Sequence, residues 1–351
     1  MRERRQIVDL FECGNAAALA TLVQMEGSSY RRTGARLLVA ANGEYAGGIS
    51  GGCLEAEVIR KAQWLVRDGA TLQRYSTLFD DTADIPYGLG CGGTVNVLLE
   101  PANTLEFAAL MQAMRSSLGG QRRRVVSQLP GIGSSFRRCI LAESGEHVFH
   151  SQQLVDPTLP FFEEWLDPPQ RLVIFGAGDD VPPLVSMAAL LGWTCIVIDG
   201  RAQWARRERF PEASQVIATS GLTGLDITED DAVVVMTHSY EQDREWLAGV
   251  LPNRPCYLGL LGSRHRSALL VSEVASRLGW SVESACEGLF APVGLDIGGD
   301  GAEAIALAII AEIQAFLEGR LGFSRRMTVE TVAEQITLGG ASRYLQTQCV
   351  V

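Results

Sequence analysis

The sequence predicts an α/β protein in two parts, a mixed α+β half followed by a doubly wound parallel-sheet half. Three observations predict it. A length of 351 residues suits two domains. Short continuous apolar runs alternate with helical segments through the second half, the pattern of a parallel sheet covered on both faces. A Gly-x-Gly turn follows the first of those runs, as in Rossmann-like domains.

Taken in order, residues 16–24 and 35–40 have strand character, and Asn42-Gly43 marks a hairpin after them. A helix is predicted from Leu54 to about Arg67, stopped at Gly69. Residues 94–99 and 124–129 are further strands, with a helix near 105–114 between them. This first domain spans 1–150, and the polar, Pro-containing stretch 151–170 reads as a linker. The second domain, 171–322, has strands at 171–175, 194–198, 232–236 and 256–260, a helix running to Leu191, and an apolar closing helix at 305–316. Asp300-Gly301-Ala302-Glu303 has capping-box spacing ahead of that helix. A tail, 323–351, carries no functional signal.

Thirty Lys and Arg against 41 Asp and Glu give a net charge of −11, which argues against a protein that holds nucleic-acid phosphates with a basic surface. A small phosphate-bearing ligand remains admissible, because a few backbone amides hold one without a basic field. Eight cysteines with no CxxC pair resemble neither a disulfide framework nor a zinc knuckle. No apolar signal core or membrane-length run is present, so the expectation is a soluble, cytoplasmic protein. Glycine is the outlier, with 37 residues, about half as many again as the ~7% average.

Those glycines cluster where chemistry is expected. In Leu172-Val173-Ile174-Phe175-Gly176-Ala177-Gly178-Asp179-Asp180, Gly176 permits the tight turn and Gly178 lets backbone amides approach a pyrophosphate. Asp199, 21 positions after Gly178, suits a ribose hydroxyl, whereas Arg201 suits a 2′-phosphate, leaving NAD and NADP both open. Asp179 and Asp180 weigh the other way, towards a domain that keeps the turn without binding a nucleotide. Gly47-Gly48-Ile49-Ser50-Gly51-Gly52-Cys53 forms an expected anion cradle, with Ser50, Gly51 and Gly52 lining it. Cys53 then sits at a helix N-terminus, where thiolate is favoured. It is a candidate nucleophile, sulfur carrier or soft-metal ligand, or else a small residue buried at a turn. Cys91 repeats the arrangement in Gly88-Leu89-Gly90-Cys91-Gly92-Gly93. Ser28, Arg31 and Arg36 fall in a loop whose composition suits phosphate or simply a solvated hairpin. His238, Gly262, Ser263 and Arg264 follow strand ends, where open parallel sheets bind ligands, and His238 is a candidate acid or base.

Together these strings resemble the XdhC/CoxI family of accessory factors for xanthine dehydrogenase and related molybdenum hydroxylases. The resemblance runs in order through Gly27-Ser28-Ser29, Gly34-Ala35-Arg36, Gly51-Gly52-Cys53-Leu54-Glu55, Cys91-Gly92-Gly93, Ile174-Phe175-Gly176-Ala177-Gly178, Val235-Met236-Thr237-His238, Gly259-Leu260-Leu261-Gly262-Ser263-Arg264 and Pro292-Val293-Gly294-Leu295-Asp296-Ile297-Gly298. It implies an XdhC-type first domain, a Rossmann domain and a homodimer. It further implies binding of the molybdopterin-type molybdenum cofactor as cargo, with Cys53 near the molybdenum. A cysteine desulfurase and a molybdenum hydroxylase would be the partners. The chain departs from the family's frequent Gly-Ala-Gly-His at Asp179, and from its Thr-Pro-Glu-Glu at Gly301-Ala302-Glu303-Ala304. An NAD(P)-dependent oxidoreductase and a non-catalytic regulatory partner of the hydroxylase are the alternatives.

Overall fold

The computed structural model describes residues 1–27, 30–52, 54–76, 93–131, 136–151 and 160–322, together with the backbone of 85–86. The chain divides after Pro168. In the first unit the elements run α1 (Arg2–Glu12), β1 (Ala16–Gly27), β2 (Arg36–Ala40), β3 (Tyr45–Gly47), α2 (Glu55–Leu65), β4 (Thr71–Ser76), β5 (Ile85–Pro86), β6 (Gly93–Pro101), α3 (Leu105–Leu118), β7 (Arg123–Gln128), β8 (Arg137–Ala142), β9 (His147–His150) and β10 (Phe161–Leu166). They form a six-stranded sheet ordered β3-β2-β1-β6-β4-β5 and a four-stranded sheet ordered β10-β7-β8-β9.

Period-2 alternation sorts the large sheet's side chains. Ala18, Ala20, Leu22, Leu37 and Val39 pack towards Val58 and Ala62 of α2, while Leu19 and Leu38 face Ile7, Phe107, Val125 and Ile140. Helices α1 and α3 therefore fill the space between the two sheets. Asn42-Gly43 makes the expected hairpin, with Gly43 at φ +88°. Residues 161–166 correct the sequence reading: they are not a linker but the strand β10, paired antiparallel to β7. The flanking prolines and polar residues hid a strand whose identity depends on its partner rather than on its own alternation.

A buried ion pair ties the two sheets. Arg138 on β8 gives two hydrogen bonds to Glu100 on β6, both 2.8 Å, and also reaches Ser127 Oγ and the Glu106 carbonyl. Both side chains are almost wholly buried.

The second unit runs β11 (Arg171–Phe175), α4 (Val181–Leu191), β12 (Thr194–Asp199), β13 (Gln215–Ala218), β14 (Ala232–Val235), α5 (Tyr240–Val250), β15 (Tyr257–Leu260), α6 (Arg264–Leu278), α7 (Val282–Cys286), β16 (Leu289–Phe290) and α8 (Ala302–Leu317). Its six strands are parallel and ordered β13-β12-β11-β14-β15-β16. Counted from the first strand of the unit this is 3-2-1-4-5-6, the Rossmann order, with the reversal between β11 and β14. Leu172 and Ile174 face α4 and α8, while Val173 and Phe175 face α5 and α6. Both faces are covered, which is why the strands read as unbroken apolar runs. The expected capping box does not form: Gly301 is the N-cap of α8, and Asp300 accepts from the Gly301 amide instead.

Removing one partner of the Glu100–Arg138 pair leaves an uncompensated buried charge. Glu100→Ala is expected to destabilise the first unit by about 3–5 kcal/mol in urea unfolding, and adding Arg138→Met is expected to recover most of that loss.

Candidate functional site

Each unit presents one candidate site, and both are built on glycine turns. In the first unit the loop 47–52 enters α2. Gly47, at φ +84°, passes so close to the Arg36 carbonyl that no side chain fits there. The inward amides expected to cradle an anion are present, but an anion of the chain already fills them. Glu55 accepts from the backbone N–H of Ile49 (3.0 Å), Ser50 (2.7 Å) and Gly52 (3.1 Å), and from the Ser50 hydroxyl. Ser50 Oγ in turn accepts from the Leu54 N–H at 3.0 Å. Residues 52 and 54, on either side of Cys53, are thus both tied to the Glu55–Ser50 pair. Burial pushes the Glu55 carboxyl up, but the bonds from Ser50 and Ile49 outweigh it and hold it below the usual carboxylate range.

The nearby arginines are also engaged. Arg31 pairs with Glu3. Arg36 corrects the sequence reading: it is a buried strand residue paired with Glu164 and bonded to the Gly34 carbonyl, not a phosphate ligand held out on a loop. Gly51 is covered by the Tyr30 ring. Ser28, Cys53 and Cys91 lie outside the described residues.

In the second unit a cleft of about 490 Å³ opens beyond the carboxyl ends of β11 and β14, at the reversal of strand order. It gathers Gly178, Asp179, Asp180, Arg201, His238 and Asp300, all of which the sequence singles out, together with Trp204 and Thr237. Gly176 lies underneath. Its φ of +127° and the Met236 carbonyl, 2.5 Å from where a Cβ would stand, admit only glycine. Gly262 carries the Arg266 side chain against it, and Ser263 caps α6 by accepting from the Arg266 N–H at 3.3 Å. Neither they nor Arg264 line this cleft, so the expected shared rim with His238 is not formed.

Three features decide what the cleft can hold. Asp199 is fully buried, and both of its oxygens are doubly engaged. Oδ2 accepts from Ala177 N and Arg201 Nη2, and Oδ1 from Arg201 N and Nε, all between 2.7 and 2.9 Å. A carboxylate has about four acceptor positions, so none remains for a ribose hydroxyl. Burial pushes the Asp199 carboxyl up, yet the Arg201 bonds prevail and hold it low. Arg209, the other cation here, stacks on Trp204 and pairs with Asp179 at 2.7 Å.

Asp180 and His238 occupy the space above Gly178. Asp180 Oδ1 is 2.8 Å, and the His238 ring 3.5–3.6 Å, from where a Cβ on residue 178 would stand. His238 Nε2 and Asp180 Oδ2 are 2.8 Å apart. His238 is held at φ +61°, unusual for a side-chain-bearing residue. The fixture beneath it is Asp243, which accepts from Thr237 N (2.9 Å) and Oγ1 (2.6 Å) and pairs with Arg266 at 2.5 Å. Arg266 also donates to the Leu261 carbonyl, joining the ends of β14 and β15. A dinucleotide needs the place above the second glycine for its pyrophosphate and an open acid for its ribose. The residues present fit neither requirement.

A family model described as "XdhC and CoxI family" matches residues 10–76, and one described as "XdhC Rossmann domain" matches 172–313. The chain is 32% identical over 327 residues to a probable xanthine dehydrogenase subunit of Bacillus subtilis, covering 87% of this chain and 94% of that protein. It is 28% identical to "Molybdenum cofactor insertion chaperone PaoD" of Escherichia coli, covering 88% and 86% respectively. A crystal structure of a xanthine dehydrogenase from Bacillus halodurans superposes with a TM-score of 0.78 at 28% identity, over 94% of this chain and 99% of that one. The chain belongs to the XdhC and CoxI family, and its residues 172–313 match that family's Rossmann domain.

Because the Glu55 carboxyl titrates below its unfolded value, its stabilisation is complete above that value and is lost as pH falls through the folded one. Glu55→Gln is expected to cost about 1–3 kcal/mol near neutral pH, because it leaves the loop's donors poorly paired. Melting curves across pH should show the gap between variant and parent closing once the pH drops below ~4.

Proposed function

We propose that this chain is an accessory protein that binds the molybdenum cofactor for a molybdenum hydroxylase of the xanthine dehydrogenase type. It protects the cofactor and assists its sulfuration and insertion. The observation that carries this reading is the pair of family matches, at 10–76 and 172–313, together with a relative, aligned over 88% of the chain, that is named as a molybdenum cofactor insertion chaperone. The cofactor is cargo here and not a resident group. Its phosphate is an anion of the kind that glycine-loop amides hold, and its molybdenum would lie at Cys53, with Cys91 as the second thiol. The same reading makes the protein a cytoplasmic homodimer whose sulfur donor is a cysteine desulfurase. No helix among the described residues is long and apolar enough to cross a membrane.

The geometry adds a role for Glu55. Thiolate and cargo both carry negative charge, so a loop that must present Cys53 needs its amides fixed in advance. Glu55 and Ser50 fix them on both sides of the cysteine. In the second unit, an NAD(P)-dependent oxidoreductase is favoured by the strand order. The saturated Asp199 and the filled space above Gly178 oppose it.

The test is purification under reducing, anaerobic conditions from cells supplied with molybdate, followed by assay of released pterin and molybdenum. Close to one equivalent of each is expected with the parent chain, and about a tenth of that or less with Cys53→Ala. Absence of pterin from the parent, with NAD(P)H oxidised catalytically on addition of a substrate, would reverse the assignment in favour of the oxidoreductase.

A further inference from the structure

The second-unit cleft has the strand order and the glycine turn of a dinucleotide site, yet one side-chain pair sits where the ligand's phosphates belong. We infer that Asp180 and His238 are specificity determinants that close the pyrophosphate position of this cleft from within, so that it rejects dinucleotides and takes ligands that place no phosphate over Gly178.

Four observations support this. First, the pair borders the place above Gly178: the carboxylate oxygen, 2.8 Å from the point where a side chain there would begin, leaves no room for an atom, and the exposed imidazole lies in contact at 3.5–3.6 Å. Second, Asp180 is about nine-tenths buried, lines the cleft, and its Oδ1 has no hydrogen-bond partner among the described residues. An unpartnered carboxylate oxygen asks for a donor, whereas phosphate oxygens bring only acceptors and like charge. Third, Asp180 stands at the N-cap of α4 but makes no capping bond, so its carboxylate is committed to His238 and not to the helix. Fourth, the pair is braced. His238 stays in the left-handed region because Thr237 is anchored on Asp243, which Arg266 holds in turn. Arg201, which lines the cleft, is paired with Asp199, and Arg209 beside it is paired with Asp179, so neither is free to offset the charge of Asp180.

The inference does not depend on the cargo reading of the first unit. It is tested on the full chain with ADP-ribose, which carries the pyrophosphate and ribose of a dinucleotide without its redox ring. Calorimetric titrations would compare the parent, Asp180→Ala and Asp180→Asn in EDTA and again with Mg²⁺. Because Asp180 makes no capping bond, the substitutions leave no backbone donor of α4 without a side-chain partner it had before. Asp180→Ala is expected to bind ADP-ribose at least about tenfold more tightly than the parent, roughly 1.4 kcal/mol. Asp180→Asn, which keeps the volume and loses the charge, is expected to fall between them. Parent and Asp180→Ala binding with equal affinity, or neither binding at all, would overturn the inference. So would a parent that matches Asp180→Ala once Mg²⁺ is present, because the carboxylates would then be holding a metal–pyrophosphate complex.

Discussion

Buried and half-buried carboxylates that accept from the chain's own amides are the interaction on which both candidate sites depend. Glycine turns aim backbone N–H groups inward, and an inward N–H without an acceptor is costly. At four turns among the described residues the acceptor is supplied internally. Glu55 closes the loop before α2, and Asp199 takes the Ala177 amide under the Gly176 turn. Asp243 takes the Thr237 amide at the end of β14, and Glu312 of α8 takes the Gly294 amide. Each carboxylate then draws in a hydroxyl or a guanidinium: Ser50, Arg201, Arg266 and Tyr257 respectively. Loops that composition marks as open are in fact cross-braced, and the strain at His238 persists because one of these braces lies directly beneath it.

Much of this architecture was legible in the sequence because it is written in local periodicity. The apolar runs at 171–175, 194–198 and 232–236 became strands β11, β12 and β14 with bounds within a residue of those expected. Gly176 and Gly178 marked the turn between β11 and α4 because only glycine tolerates that backbone path. The family could be recognised because its strings are short, spaced and ordered, and each sits at a strand end or a helix start. What stayed hidden was pairing. Asp180 looked like a repulsive neighbour of a phosphate, and the imidazole that engages it comes from 58 residues further on. Arg36 looked like a loop cation, but its partner Glu164 is 128 residues away, on a strand that itself read as linker. Glu55 was visible as part of a motif, yet no spacing rule says that its carboxylate turns back into the loop.

Filled loops also bear on how an acidic chain deals with an anionic cargo. An anion entering an empty nest gains its hydrogen bonds outright. An anion entering the loop before α2 must instead displace Glu55, whose carboxylate returns to water as the amides change partners. The charge in the loop is then little altered, and the net gain is the difference between two sets of similar bonds, far smaller than either set alone. On the proposed function, a carrier benefits from that small difference. The Glu55 and Ser50 bonds hold the loop's described amides in place beforehand, so capture spends little entropy in aligning them. The displaced carboxylate also remains at hand to compete when the cargo is to be passed on. In the second unit the same device has gone further, because Asp180 is hydrogen-bonded to His238, whose strand end is braced from behind, and exchange there requires breaking that contact. On these two proposals one kind of filler gives two outcomes: a loop that trades its anion, and a cleft that refuses one.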